Sequence, residues 1–199
     1  MSELGAAGID WSPRIYHKKP SVLATAYDLA AGFLVSLRFG VSRRIGIVHA
    51  RSYVPATLAL ILKRLMGATF VFDMRGFWVD ERIDGDIWPN GSYLYQIGKK
   101  VERVLLKEAD VIVSLSKAAV KEMKTRPFLK DVQKRFEVIP TCTDSSLFYR
   151  KERNKESVRT PLVLGYIGTS VGWYLFEPVL HFLDVLRKFQ PDVHLLILN

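Results

Sequence analysis

Residues 45 to 78 decide the fold, and they read IGIVHARSYVPATLALILKRLMGATFVFDMRGFW. Ile45 to His49 is a short apolar run, which predicts a buried strand. A helix is predicted to begin after Ser52, a residue that can cap it, and to end at Gly67. Thr69 to Phe72 is a second apolar run. A strand, a helix and a strand in this order predict a parallel β-α-β unit.

The same alternation continues on both sides of this unit. The other predicted strands are short β-rich runs: Trp11 to His17, Val111 to Val113 and Phe136 to Pro140. The other predicted helices run from Ser21 to about Arg38, over a stretch starting near Leu94, and from Lys117 to Lys124. Continuously apolar strands favour a parallel sheet covered on both faces. We therefore predict an α/β fold with a Rossmann-like, doubly wound parallel sheet.

A change in composition divides the chain into two parts. Residues 150–160 are charged and nearly free of apolar side chains, which predicts a linker. Residues 161–199 then contain one further β-α-β unit, with a helix predicted from Phe176 to Phe189. We expect residues 1–149 to be an incomplete first Rossmann-like domain and residues 161–199 the start of a second, so that the chain is truncated at both ends.

The composition is that of a globular protein with a real core. Hydrophobic residues make up 49% of the chain and charged residues 25%. No apolar stretch reaches the length of a membrane span, and the first residues lack the features of a secretory signal. Cys142 is the single cysteine, which excludes a disulfide framework. These features predict a cytoplasmic protein.

The net charge of +9 points to an anionic partner or surface. The densest basic stretch, Lys99 to Arg135, has eleven basic and five acidic residues. Two interpretations stay open at this point: a solvated helix surface, or peripheral contact with a membrane. The patterns typical of nucleic-acid-binding modules are missing, so we expect no nucleic-acid partner.

Polar clusters follow the predicted strands, where open α/β sheets bind ligands. His49 and Arg51 follow one strand, and Asp73 and Arg75 follow the next. Such ends combine carboxylates with a fork-shaped guanidinium donor. The second cluster continues through the aromatic residues Phe77 and Trp78, on which a sugar can stack, to Asp80 and Glu81. We take the six polar residues as candidate binding residues: His49, Arg51, Asp73, Arg75, Asp80 and Glu81.

Each cluster also has a structural interpretation. His49 could be a core histidine, and Asp73 with Arg75 could form an internal salt bridge. Asp80 and Glu81 could be solvated loop charges, and the two aromatic residues could cap the core. The co-location of basic, acidic and aromatic residues at two strand ends favours a binding site.

A glycine-rich loop opens the second unit and contains Gly168, Thr169 and Gly172. Its spacing departs from the G-x-G-x-x-G pattern, and no Walker motif occurs in the sequence, so neither NAD binding nor an NTPase is supported. A turn of this kind can still bring backbone N–H groups to a phosphate. We also expect no metal site, because the four histidines lack ligand spacing.

Five motifs in order resemble the retaining, family-four glycosyltransferases, which have two facing Rossmann-like domains (the GT-B architecture). They are IVHARSYVPATLAL, ATFVFDMRGFWVDER, EADVIVSLSKAAV, FEVIPTCTDSSLF and LVLGYIGTSVGWY. The fourth fits the family signature V-I-P-x-x-x-D-x-x-x-F through Val138, Ile139, Pro140, Asp144 and Phe148.

The resemblance implies transfer of a sugar from a nucleotide sugar, with no other cofactor, to a glycan or a lipid-linked acceptor. The six candidate residues would lie on the acceptor side, while Gly168, Thr169 and Gly172 would face the donor diphosphate. Many family members have a histidine where Arg75 stands and an arginine where Thr169 stands. The resemblance therefore assigns no catalytic residue to this chain.

The sequence thus predicts a fragment of a glycosyltransferase of cell-envelope or polysaccharide synthesis, inactive as the 199-residue chain. A homodimer through the incomplete second domain is a further expectation. The alternative is a non-catalytic module that binds a sugar or a protein through a glycosyltransferase-like fold. A third, weaker alternative is a phosphosugar enzyme such as an epimerase.

Overall fold

Two separate parallel sheets organise the chain. The computed structural model describes residues 3–17, 19, 21–130, 132–149, 161–170 and 175–199. A four-stranded sheet lies within the first part of the chain, and a two-stranded sheet lies within residues 161–199. The linker predicted for residues 150–160 lies outside the described residues, and so the domain boundaries stay a prediction.

The first part alternates strands and helices, as predicted. Its elements are α1 (Glu3–Ala6), α2 (Ser21–Arg43), β1 (Ile47–Arg51), α3 (Tyr53–Met66), β2 (Thr69–Met74), α4 (Trp78–Asp84), α5 (Tyr93–Glu108), β3 (Val111–Ser114), α6 (Lys117–Thr125) and β4 (Arg135–Val138). The four strands are parallel and pair in the order β1-β2-β3-β4. This arrangement confirms the predicted α/β class with a Rossmann-like parallel sheet.

The core lies on one face of this sheet. Parallel strands in sequential order, joined by right-handed crossovers, place their connecting helices on the same side. Accordingly, Phe70, Phe72 and Ile112 are fully buried in one cluster with side chains of α3, α5 and α6. The alternate positions on β1 point the other way and are exposed, including His49 and Arg51.

Local signals set several element boundaries. Gly67 ends α3 with a φ of 70°, and its N–H donates to the Lys63 carbonyl oxygen, as the sequence predicts. Ser116 caps α6 by accepting from the Ala119 N–H. The cap predicted at Ser52 is wrong, because its side chain makes no capping hydrogen bond to α3.

Two predicted elements need correction. Trp11 to His17 is not a strand. The segment is instead held beside α2 by ion pairs near its ends, from Asp10 to Arg43 and from His17 to Asp28. The loop predicted after Gly76 contains α4, which has two carboxylates in its first turn and Arg82 in its last, an order that suits the helix dipole.

Apolar residues at helical spacing do not mark the buried side of two helices. On α2, Leu23, Tyr27, Ala30 and Leu34 are exposed, and on α5, Leu94, Ile97 and Val104 are exposed while Leu105 is buried. Both helices carry apolar residues on more than one side. Each also has a glycine at a close contact: a Cβ atom at Gly40 would collide with Met66 of α3, and one at Gly98 would lie 2.9 Å from Val79 of α4.

The second sheet is smaller and less buried. It consists of β5 (Val163–Ile167), α7 (Phe176–Arg187) and β6 (His194–Leu198). The two strands are parallel, with Val163 opposite His194. Among the described residues of this unit, Leu183 and Val193 are the buried side chains. The predicted β-α-β unit is therefore confirmed, with α7 two residues shorter than predicted.

Candidate functional site

The carboxyl ends of β1, β2 and β3 meet at one edge of the large sheet. Arg51 is in register with Asp73, and Met74 is in register with Ser114. In open α/β sheets, ligands bind outside this edge. Two adjoining cavities of about 200 and 460 Å³ lie there. Both are lined by Arg75, Gly76, Glu81 and Leu115, and we call them together the strand-end cleft.

The strand-end cleft combines cations, carboxylates and hydroxyls. Besides the four shared residues, its lining includes Ser52, Tyr53, Trp78, Phe77, Asp80, Asp84, Ser114, Ser116, Ala119, Glu122 and Arg126. Carboxylates accept hydrogen bonds, guanidinium groups donate them, and hydroxyls do both. Carboxylates outnumber guanidinium groups in this lining by four to two, and such a mixture of acceptors and donors suits a ligand with many hydroxyl groups.

Gly76 and Glu81 form a close contact inside this cleft. A Cβ atom added to Gly76 would collide with Oε1 of Glu81. The absence of a side chain at residue 76 therefore lets the Glu81 carboxylate lie against the backbone between β2 and α4. Arg75 precedes this glycine and its side chain is exposed. Arg75 and Glu81 thus place one guanidinium and one carboxylate at the mouth of the cleft.

Ser52 has a strained backbone next to the same cleft. Its φ of 73° and ψ of 169° lie in a region that residues with a side chain adopt at a cost of about 1–3 kcal/mol. Its N–H donates to the Asp73 carbonyl oxygen at 2.9 Å, which ties the end of β1 to β2. The Ser52 side chain does not cap α3, and Ser52 lines the smaller cavity.

A buried polar network supports the cleft from behind. Glu102 is 2% exposed; it accepts a hydrogen bond from the Tyr53 hydroxyl at 2.8 Å and forms an ion pair with Lys99. Lys99 also binds Asp80 at 2.9 Å, and Tyr95 donates to Asp80 at 3.2 Å. The Tyr53 hydroxyl lies 3.4 Å from the Gly76 carbonyl oxygen, so the network reaches the cleft itself.

This network shifts the pKa values of its members. Burial, followed by the Glu102 carboxylate, raises the pKa of Tyr53 well above its ordinary value. Burial alone would lower the pKa of Lys99, but its hydrogen bonds to Glu102 and Asp80 outweigh that effect and raise it. At neutral pH the network therefore holds a protonated tyrosine and a charged lysine.

Sequence reasoning missed Tyr53, Lys99 and Glu102. The signal was present, since Lys99 and Glu102 are three residues apart on α5 and share a helix face with the buried Leu105 and Leu106. A carboxylate on a buried helix face needs a partner. Leu94, Ile97 and Val104 form another apolar stripe on α5, and its presence makes the buried face with Glu102 difficult to identify from the sequence.

The six predicted acceptor residues fall into two groups. Arg75, Asp80 and Glu81 line the strand-end cleft, with Asp80 also engaged by Lys99. The remaining three cluster on the open face of the sheet, because the in-register pair Arg51 and Asp73 points the same way as His49. His49 Nε2 lies 3.5 Å from Asp73 Oδ2, and Arg51 Nε lies 3.9 Å from it.

Trp78 is used mainly for packing. Its ring centroid lies 5.7 Å from that of Tyr53 and 5.3 Å from that of Trp88, and the Arg82 guanidinium lies over it at 4.9 Å. Phe77 lines the larger cavity, with the Arg126 guanidinium 5.6 Å from its ring centroid. Of the two aromatic residues, Phe77 is the one in that cavity.

The predicted donor-side residues lie in and beyond the turn after β5. Gly168 has a φ of 150°, and its N–H donates to the Leu198 carbonyl oxygen at 3.1 Å. The Thr169 carbonyl oxygen accepts from the Tyr166 hydroxyl at 2.7 Å. Gly172 lies outside the described residues.

The described part of the chain contains neither a cluster of metal-ligating side chains nor a membrane-spanning helix. Histidine, cysteine, aspartate and glutamate side chains form no group of three or more that could hold a metal ion there. None of the helices described there has both the length and the apolar character needed to cross a bilayer.

Comparisons with known proteins show the fold. No protein-family model matches the chain, and no curated protein matches it by sequence. Among solved structures, the chain is similar to sucrose-phosphate synthase from Thermosynechococcus elongatus, with a TM-score of 0.56 and 12% sequence identity. The match covers 94% of this chain but spans only 53% of the length of the synthase chain. The chain therefore has a glycosyltransferase-like fold of the GT-B type.

Proposed function

We propose that this chain is the acceptor-side part of a glycosyltransferase of the retaining GT-B type. The observation that carries the proposal is the strand-end cleft, where Arg75, Glu81 and Phe77 lie at the edge of the sheet that binds ligands in this class of fold. The likeness to a glycosyltransferase supports the fold on which the proposal depends. The five ordered sequence motifs supply the retaining, family-four part of the proposal.

In this proposal the cleft binds a sugar of the acceptor. The Arg75 guanidinium donates to two neighbouring hydroxyl oxygens, and the Glu81 carboxylate accepts from a hydroxyl. The exposed edge of Phe77 contacts the apolar face of the ring. His49, Arg51 and Asp73 bind a more distant part of the acceptor on the open face of the sheet. Gly168, Thr169 and Gly172 contact the diphosphate of the nucleotide sugar.

The acceptor is a growing glycan or a lipid-linked sugar of the cell envelope, and the protein acts in the cytoplasm. The basic stretch Lys99 to Arg135 was the predicted membrane contact. Several of its cations have partners within the protein: Lys99 binds carboxylates, Lys134 donates to the Ala109 carbonyl oxygen, and Arg103 lies over Phe128. This stretch thus offers fewer free charges to a membrane than its sequence suggests. A homodimer through residues 161–199 remains part of the proposal.

The experiment is a binding assay on the full chain. Oligosaccharides of several types are titrated while the amide signals of the protein are followed by NMR. We expect saturable shifts at Arg75, Gly76 and Glu81, and a loss of affinity of about tenfold in Arg75→Ala, since a charge-assisted hydrogen bond contributes about 1.5–3 kcal/mol. Arg135→Ala, at an exposed arginine on β4, is the matched control and keeps the affinity of the wild type.

The second candidate is a non-catalytic module that binds a sugar or a protein. Titration with nucleotide sugars separates the two candidates. A donor signal at Gly168 and Thr169 supports the transferase, whereas glycan binding alone, with no donor signal, supports the module. No glycan binding at the cleft at all contradicts both.

A further inference from the structure

The outward face of α2 is an apolar stripe that no described element covers. It is formed by Leu23, Tyr27, Leu34 and Val41, whose spacing places them on one side of the helix. Each of these side chains is at least 62% exposed. Single exposed apolar residues are ordinary, but four on one helix face form a surface that marks an interaction.

The other sides of α2 account for its contact with the protein. Ala24 and Gly40 are buried, and Gly40 lies so close to Met66 that a Cβ atom there would collide with the methionine side chain. The helix thus approaches α3 closely at Gly40, whereas the four large apolar residues of the stripe stay exposed. A solvent-facing helix surface in a soluble protein has the opposite pattern.

Charge distribution indicates what covers this stripe. Between residues 21 and 42 the charged residues are Asp28 and Arg38. Asp28 is held by His17, whose Nδ1 lies 2.6 Å from one carboxylate oxygen and whose backbone N–H donates to the other. Basic residues stand at both ends of the helix: Lys19 before it, and Arg43 and Arg44 at its end, where Arg43 is paired with Asp10. The stripe is therefore apolar along its length and cationic at both ends.

We propose that this face of α2 binds the surface of an anionic lipid bilayer, with Leu23, Tyr27, Leu34 and Val41 at the boundary between headgroups and acyl chains. A helix bound in this way buries its apolar face by about 5–10 Å and places cations at the headgroups. Trp11 and Tyr16 are also exposed on the segment beside α2, and such aromatic rings favour the membrane interface.

A second copy of the chain fits the stripe less well than a bilayer does. In an antiparallel pair of α2 helices, Arg44 of one copy faces Lys19 of the other. In a parallel pair, each basic end faces itself. Both arrangements bring like charges together across the interface. An anionic membrane offers opposite charge at both ends, and this inference does not depend on glycosyl transfer.

Vesicle co-sedimentation of the full chain tests the proposal. One set of vesicles is phosphatidylcholine, and the other contains about 30% phosphatidylglycerol as the anionic lipid. We expect the wild type to partition at least about tenfold more strongly to the anionic vesicles. Leu34→Glu should lower that partitioning at least about tenfold, because it places an anion where the proposal buries a leucine in the bilayer.

Ile97→Glu is the matched control, since Ile97 on α5 is 56% exposed and Leu34 is 62% exposed. It should partition within about twofold of the wild type, because α5 keeps no contact with the bilayer in this proposal. Leu23→Glu repeats the test at the other end of the stripe, and thermal melts check that each variant folds.

Three results would overturn the proposal. The first is failure of the wild type to bind anionic vesicles. The second is an equal loss of binding in Ile97→Glu and Leu34→Glu, which would assign the membrane contact to the basic stretch on α5 and α6. The third is a stable dimer in solution that Leu34→Glu dissociates, which would assign the stripe to self-association.

Discussion

Ser52 shows how a single residue can carry strain at a binding edge. Its backbone lies in a region that glycine adopts without penalty, yet the chain has a serine there. The hydroxyl is left free of the helix cap and lies beside the strand-end cleft. A costly conformation with a free polar group next to a cleft is typical of a functional residue.

Replacing Ser52 with glycine should therefore stabilise the fold and weaken the site. Relief of the strained φ outweighs the extra entropy of the unfolded glycine, so we expect a gain of about 1 kcal/mol in the free energy of unfolding. Urea denaturation measures it. Ser116→Gly is the control, because Ser116 has an ordinary backbone and a working cap, and it should lose a few tenths of a kcal/mol. A loss of stability in Ser52→Gly would contradict the strain.

Among these substitutions, removal of the Glu102 carboxylate should cause the largest loss of stability. Glu102→Ala leaves Lys99 with one carboxylate partner fewer in a partly buried position and the Tyr53 hydroxyl without its acceptor. We expect a loss of about 3 kcal/mol in the free energy of unfolding, as for other broken buried ion pairs. Glu102→Gln retains an acceptor for Tyr53 and should lose less.

The comparison for this prediction is Glu122→Ala, which removes an exposed carboxylate paired with Arg126 and should cost less than about 0.5 kcal/mol. Chemical denaturation of the three variants gives the order. Equal losses for Glu102→Ala and Glu122→Ala would show that the buried network contributes nothing specific.

At the level of elements, close helix contacts reverse the usual effect of glycine. Alanine is normally the better residue in a helix by up to about 1 kcal/mol. At Gly98 of α5, however, a Cβ atom would lie 2.9 Å from a methyl group of the buried, β-branched Val79. We expect Gly98→Ala to destabilise the protein by about 1–2 kcal/mol through overpacking.

Gly32 of α2 is the matched position, since a Cβ atom there meets nothing within 4 Å. Gly32→Ala should stabilise the protein by up to about 1 kcal/mol. Thermal unfolding of both variants shows whether each substitution raises or lowers the stability. A change in the same direction for both would contradict the packing of α5 against α4.

The junction of α3, β2 and β3 predicts a pH effect. Asp110 accepts from the Phe70 N–H and from Lys63, each at 2.7 Å. Burial would raise its pKa, but these hydrogen bonds outweigh burial and lower it. A lowered pKa means that this stabilisation is complete above the ordinary carboxyl pKa of about 3.9 and is lost as the pH falls through the lower, folded value.

Asp110→Asn should therefore flatten the acid limb of the stability curve. The wild type loses stability steeply below about pH 4, and the variant, less stable at neutral pH, loses less there. Urea midpoints measured from about pH 6 to pH 3 give both slopes. Parallel curves for the two proteins would show that Asp110 is not held by these contacts.

Sequence patterns predicted strands better than helix faces. Short apolar runs such as Thr69 to Phe72, alternating with longer helical segments, predicted all four strands of the first sheet within a few residues. The packed side of a helix depends on neighbours far along the chain. Gly98 meets Val79 only after α4 forms, and α4 itself was missed. For the same reason, the sequence identified Arg75 and Glu81 but not the Tyr53–Glu102 support behind them.

At the level of the whole molecule, the two sheets differ in burial. The first has a continuous core of aromatic and aliphatic side chains, whereas the second exposes large residues on both strands, including Ile167 and Leu198. Regions with fewer buried contacts open locally at a lower free-energy cost than well-packed regions do.

Amide hydrogen exchange should report this difference directly. We expect the amides of β5 and β6 to exchange at least about tenfold faster than those of β2 and β3, once corrected for intrinsic rates. Addition of a nucleotide sugar that binds near Gly168 should reduce this difference in exchange rate, because binding stabilises the folded unit. Equal protection in the two sheets without ligand would show that the second is covered by a further contact.

The position of β1 has a consequence for solubility. Within the described sheet β1 pairs with β2 on one side only, so its other side is an open strand edge. Charged side chains on an edge strand prevent it from pairing with other molecules. Arg51 therefore protects against aggregation as well as being a candidate sugar ligand. Loss of activity in an Arg51→Leu variant therefore identifies Arg51 as a sugar ligand only when the variant is as soluble as the wild type.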